Sequence, residues 1–175
     1  MKDLMRIKSL LSTEIESLLN QQIKKEAHSS AIYLSMASWC DRNGFDGSAD
    51  FFFKQSDEER HHQLKLYKYI LNMGGTAISP EINNVKIEFG SFREVFEDAL
   101  EQEIAITQSF KNIAARCHKE QDFVTMEFLN WFLKEQREEE YVARRALELF
   151  EVIGEQGTGY WDIDKNIGNI KYSAE

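Results

Sequence analysis

A chain of 175 residues with 42% hydrophobic content is long enough for one domain with a sizeable core, and too apolar to be disordered. Its formal charge of -9 argues against nucleic acid and anionic membranes as partners, and no run of apolar residues is long enough to span a bilayer. One proline, Pro80, and nine glycines are few chain breakers, so long helices are expected.

The opening MKDLMRIKSLLSTEIE lacks a continuous apolar stretch, so no secretory leader is expected and the cytoplasm is the default location. Thr13 with Glu16 reads as a capping box that starts a first helix, α1, near 14–42. Gly44 and Gly47 interrupt the helical run, and a second helix, α2, follows near 47–73 and ends at Gly74 and Gly75. Residues 74–90 contain Pro80 and then alternate as Val85-Lys86-Ile87-Glu88-Phe89, an extended pattern. A helix of this length is ~40 Å long, and the link can reach ~55 Å. It can therefore run the length of a bundle and leave the flanking helices parallel. Ser91 and Glu94 form a second capping box, which opens α3 near 92–118. The polar stretch from His118 to Asp122 is the break before α4, near 122–153, with Asp122 as its N-cap. After Gly159 a segment from Tyr160 to Gly168 has room for a short fifth helix. The whole reads as one all-α domain over 1–175, a four-helix bundle with one long crossover between α2 and α3. Cys40 and Cys117 form no CxxC pair, which excludes a ribbon-type zinc or iron site and leaves two reduced, buried thiols.

Each long helix carries an apolar stripe at 3.6 spacing, and polar residues break each stripe near its middle. The interruptions are Glu26 on α1, Glu59 and His62 on α2, Glu103 on α3, and Gln136 and Glu139 on α4. Glutamate is seldom buried without a partner, and an unpaired buried carboxylate costs several kcal/mol. The stripes contain no Lys or Arg, so protons or metal cations must neutralise these groups. Their heights agree. Glu26 lies 18 residues before Gly44, with Glu59 and His62 at 15 and 18 after it; Glu103 lies 17 before Glu120, with Gln136 and Glu139 at 16 and 19 after it. Equal distances from the turns of antiparallel hairpins put all six in one layer.

Glu58-Glu59-Arg60-His61-His62 holds two overlapping ExxH pairs. At 100° per residue, Glu59 and His62 point within ~30° of the centre of the apolar face, while His61 points ~130° away and Glu58 ~70°. Glu59 and His62 are therefore the candidate ligands, His61 is a surface residue, and Glu58 can reach a peripheral site. Carboxylates with one imidazole suit iron, manganese or zinc better than copper. Glu26, Glu59, Glu103 and Glu139 sum to four negative charges, which two divalent ions balance. Glu26, Glu59 and His62 would surround the first ion, while Glu103, Gln136 and Glu139 complete the second. Tyr33 shares the face of Glu26 and either donates an electron or packs. A second apolar line on α2 (Phe53, Leu64, Tyr67 and Leu71) faces away from the core, either towards another subunit or towards the crossover.

Glu26 with Tyr33, Glu59-x-x-His62, Glu103 and Gln136 resemble the ferroxidase centre of ferritins, in order and in spacing, over nearly the whole chain. Glu135-Gln136-Arg137-Glu138-Glu139 resembles the bacterial non-haem ferritins in particular. That resemblance implies that iron is the metal and that Fe(II) is oxidised by dioxygen or hydrogen peroxide. It also implies that ferric mineral is stored inside a 24-subunit shell. By matching position, Glu58, Glu135, Glu138 and Glu139 would bind a third iron. Arg60 stands where the haem-binding relatives carry a methionine, so no haem is expected.

Overall fold

The computed structural model describes residues 8–172; the first residues of the stretch that predicts no leader lie outside them. Four long helices and one short one follow in chain order: α1 Thr13–Arg42, α2 Asp46–Asn72, α3 Phe92–Glu120, α4 Phe123–Ile153 and α5 Gly159–Ile167. There is no strand among the described residues. The helices pair as two antiparallel hairpins, α1 with α2 and α3 with α4; α1 also packs on α3, and α5 touches α2 and α4.

The caps explain where the helices begin. The cap of α1 is Ser12, not Thr13: its Oγ accepts the Ile15 N–H at 3.2 Å. Glu16, freed from a capping role, receives the Thr76 N–H at 3.2 Å and ties α1 to the crossover. Ser91 accepts the Glu94 N–H at 3.1 Å, and Glu94 reaches back to the Gly90 N–H at 2.8 Å, one residue earlier than a standard capping box. Asp122 accepts the Thr125 N–H at 2.9 Å and starts α4. The α3–α4 turn hinges on Gln121, which is left-handed at φ 60° without being a glycine. Its N–H and that of Asp122 close on the His118 and Cys117 carbonyls, which offsets the strain of that conformation.

The crossover is extended and follows α1 from end to end. Asn20 Nδ2 donates to the Thr76 carbonyl at 2.9 Å, His28 Nε2 to that of Asn83 at 3.1 Å, and Ser35 Oγ to that of Lys86 at 2.6 Å. Arg42 pairs with Glu88 at 3.1 Å at the far end. The link thus returns the chain to the end at which α2 began, and α2 and α3 run parallel. Phe92 at the head of α3 stacks on Phe45 at the α1–α2 turn, with ring centroids 3.8 Å apart.

The α5 helix is held by a contact that sequence alone does not reveal. Asp164 on α5 accepts the Gly47 N–H at 3.0 Å and the Ser48 N–H at 2.7 Å, at the start of α2. The residue preceding α2, Phe45, supplies no side-chain cap, so Asp164 caps this helix from a distance. Gly47 is required there: a Cβ would lie 2.5 Å from the Asp164 carbonyl oxygen.

The core is not continuous. One apolar cluster, with Met36, Phe52, Phe96 and Phe150, fills the end near α5. A second, with Ile15, Leu66, Phe110 and Phe132, fills the other end. Cys40 lies in the first and Cys117 in the second. Both are buried and free, and burial pushes their thiols up to about 12 and about 11.

Candidate metal centre

The buried polar residues sit between the two apolar clusters. Glu26, Glu59, His62, Glu103 and Gln136 are each no more than 3% exposed, and Glu139 is 8% exposed. The stripes of four different helices, interrupted at equal heights, deliver them there.

Glu26, Glu59 and His62 offer ligand atoms that all lie within 4.8 Å of one another. His62 Nδ1 stands 3.6 Å from Glu26 Oε2 and 3.7 Å from Glu59 Oε2. These same three atoms are buried without a hydrogen-bond partner. Buried polar atoms are almost always satisfied, so three orphans facing one point fit a cation that all three would bind. Two oxygens and one imidazole nitrogen suit a divalent first-row ion. Among the described residues no other trio of such atoms approaches within that distance.

Glu103 lies beyond this trio. Tyr33 donates its hydroxyl to Glu103 Oε1, and Gln136 Nε2 donates to Glu103 Oε2 at 2.9 Å. Gln136 Oε1 is a further buried atom without a partner. Tyr33 itself packs against Phe52.

The electrostatics follow from crowding carboxylates in a dry layer. Burial, and then the charge of Glu26, pushes Glu59 well above the usual carboxylate range. Burial, and then Glu103 and Glu58, does the same to Glu139. Burial lifts Glu103 to about 7 despite its bonds to Tyr33 and Gln136. Glu26 is the exception: burial opposes its ionisation, but His62, Glu59 and Gln22 together hold it below the usual range. Burial and crowding thus favour the protonated form of Glu59, Glu139 and Glu103, and a bound cation would favour the ionised one.

Outside the layer lies a cavity of about 510 Å³, with Glu58, Glu135, Glu138 and Glu139 in its wall together with His61 and His62. Burial, and then the charges of Glu138 and Glu135, raises Glu58. His61 is exposed, as its phase on α2 predicts, but it faces this cavity rather than open surface. The tail residues Lys171 and Tyr172 close one side of the cavity.

One contributor escapes the stripe pattern. Gln22, one turn before Glu26, donates to Glu26 Oε1 at 2.6 Å and is oriented by Ser109, which in turn accepts from Lys25 at 2.6 Å. Its position four residues before Glu26 was the available signal.

The Ferritin-like domain family model matches residues 16–153. A protein of Staphylococcus epidermidis named bacterial non-heme ferritin is 40% identical over 95% of this chain and all of its own length. One of Haemophilus influenzae, named probable bacterial non-heme ferritin-like protein, is 36% identical over 94% of this chain and all of its own. The open-pore ferritin of Archaeoglobus fulgidus superposes with a TM-score of 0.87 at 30% identity, covering 92% of this chain and 99% of the other.

Proposed function

The chain belongs to the ferritin family, and from that premise we propose that it stores iron, oxidising Fe(II) to Fe(III) at the buried carboxylate layer. The single observation that carries this reading is the trio of unpartnered atoms on Glu26, Glu59 and His62. Fe(II) is the substrate. One ion enters among Glu26, Glu59 and His62. A second is held by Glu103, Gln136 and Glu139, with Glu59 shared between the two. Each Fe(II) gives up one electron, and dioxygen or hydrogen peroxide takes the pair. The protons that occupy Glu59, Glu103 and Glu139 leave as the cations arrive, so metal uptake releases protons. Tyr33 holds one oxygen of Glu103 and fixes its orientation.

The two positions differ in strength. The first has an imidazole; the second has only oxygens and a neutral amide, and binds more weakly. Glu58, Glu135 and Glu138, with Glu139, draw the ion outwards as a third position. A weaker second position beside an acidic cavity suits a centre that passes its product on to a mineral store. Arg60 follows Glu59 and leaves no methionine to ligate a haem.

Assembly into a hollow shell of 24 subunits is supported by the outer face of α2. Phe53, Leu64 and Leu71 are 49%, 40% and 53% exposed, whereas Tyr67, the fourth residue of that line, is half-buried and packs against the core. The crossover runs along α1, and its side-chain hydrogen bonds go to α1 and α3. An apolar line left open in the subunit is accounted for by burial against another copy. No helix among the described residues is long and apolar enough to cross a membrane, and a cytoplasmic location is part of this proposal.

The test is to add Fe(II) in air to metal-free protein and follow ferric absorbance, then image the product. Saturable oxidation and electron-dense cores inside particles of several hundred kilodaltons are expected. Oxidation no faster than in buffer would refute the oxidising centre; oxidation without cores would refute storage.

A further inference from the structure

A second cavity, of about 370 Å³, opens between α3 and α4 on the other side of Gln136 from the carboxylate layer. Its character is opposite to that of the acidic mouth. Lys111, Arg137 and Arg144 line it, and Glu140 is its one carboxylate. Three cations against one anion is a local excess of positive charge in a chain whose net charge is -9. Glu140 is already engaged, by Arg144 at 2.7 Å. Lys111 and Arg137 have no carboxylate within ion-pair distance among the described residues; Arg137 lies over the Tyr172 ring instead, 5.7 Å from its centroid.

The floor of the cavity carries an independent signal. Thr107 is 8% exposed, and its buried Oγ1 faces the Glu140 carboxylate without completing a well-formed hydrogen bond to it. A buried hydroxyl whose hydrogen bond to a carboxylate is incomplete can donate instead to a better-placed acceptor in the cavity. Two guanidinium groups, an ammonium and a hydroxyl around one cavity match an anion with several oxygens better than a halide, because each oxygen can accept from a different donor.

We propose that this cavity is a binding site for a polyvalent oxyanion of the phosphate class, held by Lys111, Arg137 and Arg144 and received at its base by Thr107. Gln136 is the wall shared with the carboxylate layer, so an anion here sits one side chain away from the cations that the layer admits and supplies counter-charge to them. The site stands on its own charge and hydroxyl, and does not require that the layer oxidise iron.

The test uses the assembled, metal-free protein, so that no mineral adsorbs the ligand, with inorganic phosphate titrated calorimetrically in a buffer of low ionic strength. Saturable binding near one phosphate per chain is expected, and equimolar chloride should not displace it. Lys111→Ala and Arg137→Ala should each weaken it by about tenfold or more, the loss of one charge-assisted hydrogen bond. Glu140→Gln should strengthen it several-fold, because it frees Arg144 and removes the competing carboxylate. These side chains lie at the surface, so melting temperatures should stay within a few degrees of the parent and report intact folding. The proposal is overturned if phosphate gives no saturable heat. It is equally overturned if either alanine variant binds as the parent does, or if Glu140→Gln binds no tighter.

Discussion

Replacing Glu103 by Gln tests whether the buried layer is stabilised by protons when metal is absent. Glu103 is 1% exposed and its carboxyl is lifted from 4.5 to about 7. A folded-state value above the unfolded one means that folding retains a proton. The associated stability is complete below about pH 4.5 and is lost as pH rises through 7. For Glu103 alone, the loss between pH 5 and pH 8 is on the order of 2–3 kcal/mol. In a protein of this size that lowers the melting temperature by roughly 5–10 °C. Gln fits the site: its oxygen can accept from Tyr33, and its amide can donate to Gln136 once that carboxamide turns its unpartnered Oε1 inwards. The assay is thermal unfolding of metal-free parent and E103Q protein at pH 5, 6.5 and 8, at equal concentration. The parent should lose stability with rising pH, and the variant should lose on the order of 2–3 kcal/mol less while matching the parent near pH 5. Part of the slope should survive in the variant, because Glu59 and Glu139 are raised as well. Saturating Zn(II) should flatten both curves by replacing protons with cations. A parent whose stability is flat or rises from pH 5 to 8, or a variant with an unchanged slope, would refute the reasoning.

His62→Ala or Glu59→Ala should remove the tightest divalent ion in an anaerobic Co(II) titration and slow Fe(II) oxidation at least tenfold, with helical circular dichroism unchanged; His61→Ala should keep that ion, since its ring lies outside the trio. Leu71→Arg should break the assembly into small oligomers on size-exclusion chromatography, because it buries a charge without a partner; an intact shell would place the outer line of α2 elsewhere. Asp164→Ala removes the cap that α5 provides to α2 and should cost ~1–2 kcal/mol. Faster amide exchange confined to α5 and the first turn of α2 should accompany it, and unchanged exchange there would show that the contact is incidental.

The helix count, the long parallel crossover and the layer of interrupted stripes were legible in the sequence, because each rests on a local period. Glu59 and His62 could be separated from Glu58 and His61 by phase alone, since an α-helix fixes direction at 100° per residue. Equal distances from the turns placed Glu26 and Glu103 at one height for a similar reason: the rise per residue is constant. Local rules failed where two chemistries compete for one residue. Ser12, not Thr13, caps α1, because Glu16 turns to the Thr76 amide instead of closing the box. Gln121 takes the left-handed turn position without the glycine that marks such a bend. Contacts between distant segments left no trace in the pattern. Asp164 caps a helix 116 residues earlier, Gln22 reaches Glu26 through a chain oriented by Ser109 on another helix, and the basic cavity behind Gln136 exists only once α3 and α4 are packed. Periodicity determined which residues face inwards, since that depends on backbone geometry alone. Which of the inward atoms find partners, and which are left facing one another, was decided by the packing of four helices.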